Sequence, residues 1–418
     1  MKTTVIKNAN QIVTFLGNQA KKGQSMNDIT VFKESIIVIE DDIIVYVGNQ
    51  AQCPIELSQA TIIDATNKIV LPGLVDSHTH LVFGEDRANE FYQRLNNVSY
   101  QEILQAGGGI HQSIEKTTNT PKDVLIKQAK KTVKKMIEQG VTTIEAKSGY
   151  SKDFDGEVKQ MQVIAELNKE FDNMLLSTCL AAHVIPKQHK DNPQVYIDMI
   201  KHKLIPYVKE HNLAQFFDAF LEENAYDQDQ VIEILSSAKE AGFDCKLHCD
   251  EIHDLDGATL AANLGCISAE HLLVTNEKGI QAMADHDVIA TLLPLTALSL
   301  KKPYANARKM IESGCALALA TDFNPGSCYS YSMPLLMSLA VLQMDLSIEE
   351  MICAITLNGA AALNQAKVIG TIEAHKKADL VIFDCPSYTH LVYHMGINQA
   401  HTILKNGNII HTQAKETI

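Results

Sequence analysis

Four strings in the chain bring histidines and carboxylates together at the ends of apolar runs. They are Asp76-Ser77-His78-Thr79-His80, Lys246-Leu247-His248-Cys249-Asp250-Glu251, Ser268-Ala269-Glu270-His271 and Leu319-Ala320-Thr321-Asp322. Side chains alternate along a strand, so His78 and His80 face the same way and are close enough to share one ion. Three imidazoles and one carboxylate are a donor set suited to zinc or iron. A polar residue at one strand end needs no function. Four such ends meeting at one place would form a site.

The elements between these strings decide whether they meet. Apolar runs suited to strands occur at Ile69–Val82, Val141–Lys147, Leu175–Val184, Ala214–Leu221, Asp244–His248, Cys266–Leu273, Val288–Pro294 and Ala316–Thr321. Helical stretches separate them. In the clearest, Pro121–Gln139, Thr120 is placed to cap, Pro121 sits in the first turn and Gly140 stops the helix. Others cover Gly156–Asn168, Gln228–Ala241, Ala258–Leu264, Ala305–Ser313 and Ser347–Asn358. Eight strands alternating with helices predict an α/β fold, a (β/α)8 barrel of the TIM type, whose working groups gather at the carboxyl ends of its strands. The rival is a doubly wound open sheet, which usually carries a Gly-rich phosphate turn after its first strand. No such turn is seen here.

Both chain ends read as β. Ser35–Val47 is two β-branched runs joined at Asp41-Asp42, and Asn406-Gly407 between apolar runs is a strong hairpin signal. Neither end has enough strands to stand alone. They are expected to pair into one small β-sandwich, with residues 1–68 as its first part, 69–368 as the barrel and 369–418 as its second part.

Composition narrows the function. The 418 residues carry 36 basic and 50 acidic side chains, a net charge of −14. Such a chain is poorly suited to holding nucleic acid or an anionic membrane by bulk charge. No apolar run approaches the roughly 20 residues of a membrane span, and the first residues do not read as a signal peptide. Nine cysteines without a CxxC pair fit reduced thiols in a cytoplasmic protein.

The string Pro72–His80 resembles the opening of the amidohydrolase superfamily, metal-dependent hydrolases on a (β/α)8 barrel with a β-sandwich built from both termini. More narrowly, several motifs are similar to the imidazolonepropionase family of histidine degradation. They are HLVFGEDRANEF (80–91), QAGGGI (105–110), GVTTIEAKSGY (140–150), LHCDEIHD (247–254), SAEHL (268–272), ATLLP (290–294) and ATDFNPGS (320–327). The resemblance implies His78, His80, His248 and Asp322 as ligands of one divalent or trivalent ion per chain, zinc or iron. It implies Arg87, Tyr150, His183, Glu251, His271, Asn324, Gly326 and Ser327 around a small substrate, 4-imidazolone-5-propanoate, which water opens to N-formimino-L-glutamate. It also implies a homodimer. Leu295 and Cys249 depart from the usual Gly and Ala of that family.

That reaction assigns tasks. Glu251 or Asp322 would move the water proton to the departing ring nitrogen. His271, cationic or donating, would stabilise charge on the carbonyl oxygen. Arg87 would grip the propanoate with its planar fork. Asn324-Pro325-Gly326-Ser327 reads as an ordinary turn and equally as a source of backbone N–H groups for a product carboxylate, and the two readings are compatible, because a rigid turn is how such groups are aimed. Gly107-Gly108-Gly109 lacks the Lys-Ser/Thr of a P-loop and reads as a loop of close approach. A bridging carboxylated lysine for a second ion has no counterpart in AQFFDAFLEE (214–223), though Glu222 or Glu223 could bridge. The rivals are an aminohydrolase acting on a nucleobase or related ring, and a barrel that serves as a scaffold without catalysis.

Overall fold

The computed structural model describes residues 2–96, 98, 102 and 108–413. Part of the QAGGGI motif, Gly107 included, lies outside the described residues. Eight parallel strands form the central sheet in sequence order: β1 (Leu74–Asp76), β2 (Val141–Lys147), β3 (Leu175–Ala182), β4 (Phe216–Phe220), β5 (Asp244–Cys249), β6 (Ser268–His271), β7 (Ile289–Leu292) and β8 (Leu317–Leu319). A bridge between Thr79 and Phe323 closes the sheet into a barrel just beyond the carboxyl ends of β1 and β8. Helices such as Phe154–Glu170 and Gln228–Glu240 cover the outside through their buried faces.

Both chain ends build the second unit. Four strands run in the order Ile43–Asn49, Ser35–Glu40, Thr3–Lys7, Thr61–Asp64. Six more run Asn408–Thr412, Ala400–Lys405, Leu380–Phe383, Ile69–Pro72, Gln11–Thr14, Thr30–Phe32. Ile6, Ile37, Ile39, Val70, Leu380 and Leu404 share one buried apolar cluster with residues of both sheets, which makes the unit a sandwich.

Two details differ from the sequence reading. The run Ile69–Val82 is not one strand. Its first part pairs in the sandwich, antiparallel with Leu380–Phe383 and parallel with Gln11–Thr14, and only Leu74–Asp76 belongs to the barrel. Apolar composition marks a buried strand without saying which sheet it joins. Thr120 does not cap the helix that follows. Its hydroxyl donates to the Lys116 carbonyl, closing the helix before, and the next helix begins at Lys122 after Pro121.

The predicted hairpins form. Lys405 faces Asn408 across Asn406-Gly407, whose φ angles are 49° and 72°, a turn with both central residues in the left-handed region. A Cβ on Gly407 would fall 2.3 Å from the Asp41 carbonyl oxygen. This tight turn therefore locks the last hairpin onto the first. Gly407→Ala is expected to lower stability by about 1–3 kcal/mol through backbone strain and that clash. Urea unfolding of the two proteins measures it; an unchanged midpoint would contradict the packing described.

Candidate active site

Each of the four strings ends a barrel strand, and the side chains meet inside one rim. Nε2 of His78 and Nε2 of His80 each lie 3.5 Å from Oδ1 of Asp322. Candidate donor atoms of His78, His80 and Asp322 all lie within 4.8 Å of one another, as do those of His78, His248 and His271. The five side chains are buried. Asp322 is aimed by Thr296, whose hydroxyl donates to its Oδ2 at 2.6 Å. His271 and Asp322 hold positive φ angles of 78° and 52°, local strain of the kind that clusters at functional sites.

These residues fit a metal ion. Nε2 of His78 and of His248 are buried without any hydrogen bond, an expensive state unless an ion takes the lone pairs. Burial holds His78 and His80 well below the ordinary histidine pKa, so both keep free lone pairs at neutral pH. Burial also brings His271 down to about 4 and His183 to about 3. That environment favours the neutral form of His271, the donating one of the two expected. Burial lifts Asp322 above the usual carboxylate range and brings Glu251 to about 7. Oε1 of Glu251 lies 3.7 Å from Nδ1 of His271. Glu251 does not cap the next helix. Asp250 accepts from Gly257 N and Ala258 N.

Beneath the donors lies a layer of charge that sequence reading missed. Glu145, Lys147, Asp218, Lys246 and Glu270 are all fully buried. Nζ of Lys147 lies 2.8 Å from Asp218, 2.8 Å from Glu270 and 3.0 Å from Glu145. Nζ of Lys246 lies 3.0 Å from Glu145 and 3.1 Å from Glu270. The carboxylates reach upward in turn. Asp218 is 2.9 Å from Nδ1 of His248, and Glu270 is 2.7 Å from Nδ1 of His78. Burial opposes the charged form of His248, but Asp218 outweighs it and raises the pKa. Burial would likewise neutralise Lys147, and its three carboxylate neighbours instead hold it charged, above the ordinary lysine value. The signal was present in period two: Glu145 and Lys147, Lys246 and His248, Ser268 and Glu270 are each two apart on one strand face.

Residues expected around a substrate stand beside the donors. The rings of His80 and His183 stack with centroids 5.0 Å apart, and Tyr150 sits 5.6 Å from His80. Arg87 donates its backbone N–H to the Pro325 carbonyl, and its Nη1 lies 3.3 Å from Glu90, which also accepts from Gly109 N. Its Nε is buried with no hydrogen bond. A Cβ on Gly326 would overlap the guanidinium, 1.3 Å from Nη2. Gly326 N and Ser327 N both donate to Oδ1 of Asn324 at 2.8 Å. These hydrogen bonds make the segment a rigid turn with both amides engaged by Asn324. Of the two departures, Leu295 and Cys249 are both buried in the apolar core. Glu222 is occupied by Ile252 N, His253 N and His253 Nδ1.

Comparison with known proteins gives the family and the fold. The model of the amidohydrolase family matches residues 69–415. The chain is 47% identical over 412 residues to an imidazolonepropionase of Clostridium tetani, covering 98% of each protein. It is 44% identical to one of Porphyromonas gingivalis, covering 98% of this chain and 97% of the relative. Among solved structures, a triazine hydrolase variant superposes with a TM-score of 0.76 at 15% identity, covering 98% of this chain and 95% of that one. An adenosine deaminase of Xanthomonas campestris with bound zinc gives 0.73 at 18%, covering 98% and 93%. At those identities the likeness concerns the fold.

The turn that presents Tyr150 rests on a buried acid. Gly149 N donates to Oε2 of Glu157 and Tyr150 N to Oε1 of Gln160. Oε1 of Glu157 has no partner, and burial lifts its pKa from 4.5 to about 7. A folded pKa above the unfolded one contributes stability fully present below about pH 4.5 and lost as pH rises through 7. Glu157→Gln should therefore gain on wild type between pH 5 and 8, by up to about 2–3 kcal/mol. Unfolding midpoints at the two pH values test this. A difference independent of pH would contradict it.

Proposed function

As the chain belongs to the amidohydrolase family and, within it, to the imidazolonepropionases, we propose that it hydrolyses the ring C–N bond of 4-imidazolone-5-propanoate to give N-formimino-L-glutamate in histidine degradation. The observation that carries the chemistry is one rim holding the donors His78, His80, His248 and Asp322 with a buried carboxyl, Glu251, near neutrality beside His271. The direct test is turnover of this cyclic amide by the purified protein, with nucleobases and related ring amines as the comparison. Faster deamination of the latter would overturn the assignment.

Bound by these residues, a zinc or iron ion supplies an acidified water and a polarised carbonyl. The chain supplies the rest. A carboxyl near pKa 7 is balanced between accepting a proton from the attacking water and returning it to the departing ring nitrogen, and Glu251 has that balance. Neutral His271 donates an N–H toward the carbonyl oxygen as charge develops. Asp322, fixed by Thr296, is both a ligand and an acceptor beside the water. Arg87 binds the propanoate, with its backbone held on the Pro325 carbonyl and its side chain laid on Gly326. Tyr150 and His183 stand beside His80 on the neighbouring strand ends of the same rim.

The reading includes one ion per chain. The carboxylates a second ion would use, Glu145, Asp218 and Glu270, already face lysine ammonium groups. It also includes a cytoplasmic setting, which suits nine free thiols, and a homodimer, which sedimentation would reveal. Elemental analysis should return one tightly held metal in wild type and far less in His78→Ala and His248→Ala. Asp322→Asn should keep part of the metal and lose turnover. Wild-type kcat with full metal in any of these would remove that residue from the ligand set.

Glu251→Gln keeps size and hydrogen bonding but carries no titrating proton. Its kcat should fall by about 10²–10⁴-fold with KM little changed. A rise in KM alone would reassign Glu251 to positioning.

Arg87→Ala should weaken substrate binding by about 2 kcal/mol or more while leaving the metal in place, and lysine should rescue it only partly. Gly326→Ala should mimic the defect by displacing the guanidinium. An analogue lacking the carboxylate checks both variants: wild type should discriminate against it strongly and the variants weakly.

A further inference from the structure

We infer that Lys147 is a positioning residue for the metal centre: one buried ammonium orients two ligand histidines through two carboxylates, and its backbone fixes the segment that carries a third. The inference rests on the reading of His78, His80 and His248 as ligands. A neutral imidazole has two tautomers, and the hydrogen bond made by one nitrogen decides which nitrogen faces the ion. Here Nδ1 of His248 faces Asp218 at 2.9 Å and Nδ1 of His78 faces Glu270 at 2.7 Å. Ionised carboxylates only accept, so these separations suit hydrogen on both Nδ1 atoms, which leaves both Nε2 lone pairs for the rim, although neither contact has full hydrogen-bond geometry.

What holds the carboxylates is Lys147. Its Nζ lies 2.8 Å from the Asp218 oxygen that meets His248 and 2.8 Å from the Glu270 oxygen that meets His78. Its backbone N–H donates to the carbonyl of Thr79, the residue between His78 and His80. Lys246 is placed differently. It pairs with Glu145 and with the other oxygen of Glu270, and it also meets the Ser77 carbonyl. No ion pair joins it to Asp218 among the described residues. The two lysines therefore neutralise the same layer, but only Lys147 touches both orienting carboxylates.

The rival explanation is charge balance alone. Removing one cation leaves buried carboxylates uncompensated, which destabilises any fold. A pair of variants separates the two. Lys147→Met removes the ammonium. Lys147→Met combined with Glu145→Gln restores the net charge of the layer, since Glu145 forms no ion pair with a histidine among the described residues. Zinc affinity is read by competition with a chromophoric chelator, ligand geometry by the visible spectrum of the cobalt-loaded protein, and stability by thermal unfolding.

The double variant should regain much of the stability, yet bind zinc about 10–100-fold more weakly than wild type, with an altered cobalt spectrum. Lys246→Met with Glu145→Gln should lose less affinity. Wild-type zinc affinity and cobalt spectrum in the Lys147 double variant would overturn the inference. So would its failure to fold beside a folded Lys246 counterpart, because Lys147 would then be needed for stability alone. Failure of wild type itself to bind one ion would instead refute the ligand reading, and is seen before any variant is made.

Discussion

Ionised groups out of water must be matched almost completely, and the centre of this barrel is built around that demand. Three carboxylates and two ammonium groups occupy the space under the rim, where other barrels pack branched aliphatic side chains. Individually each charge would be expelled or neutralised by desolvation. Collectively they fix one another, because moving any one leaves its neighbours uncompensated. The rim histidines inherit that rigidity. Nδ1 of His78 and Nδ1 of His248 meet carboxylates held by buried ammonium groups, so the floor sets the geometry of these two donors, while Thr296 aims Asp322.

The same economy of rigid supports recurs on the substrate side. Asn324 gathers two backbone amides onto one side-chain oxygen and hands its own amide to Asp322 O and Ser327 Oγ. The turn so fixed carries Gly326, against which Arg87 lies. Glu157 and Gln160 do the corresponding work from an outer helix, holding the Ser148–Tyr150 turn from behind. Each set works through hydrogen bonds within the chain. Both convert flexible loop positions into fixed ones, which is how orientation is turned into rate.

The rim was legible in the sequence because its residues end apolar runs, and the run count pointed to a barrel. The sandwich was legible from β-branched runs and the Asn406-Gly407 turn. The floor was not, for a physical reason. A buried Glu or Lys in a strand reads as a solvent-facing residue unless the opposite strands are known to present partners. Glu145-Ala146-Lys147 is indistinguishable from an alternating half-exposed strand until β4, β5 and β6 bring Asp218, Lys246 and Glu270 to it. The split of Ile69–Val82 between two sheets escaped for a similar reason, since apolarity reports burial and not the partner. The role of the Asn324 turn was half legible: its residues announced a turn, and only the hydrogen bonds show where its amides point.

The strand Ile69–Pro72 ties the first rim string to distant parts of the sequence. It enters the barrel through a single glycine before β1, and it is held on one side by Leu380–Phe383 and through it by the hairpin that ends at Thr412. On its other side the same strand is held by Gln11–Thr14. The segment leading to His78 is thus clamped between one strand from early in the sequence and one from late in it, so loosening either side of the sandwich would reach the first rim histidine through Gly73.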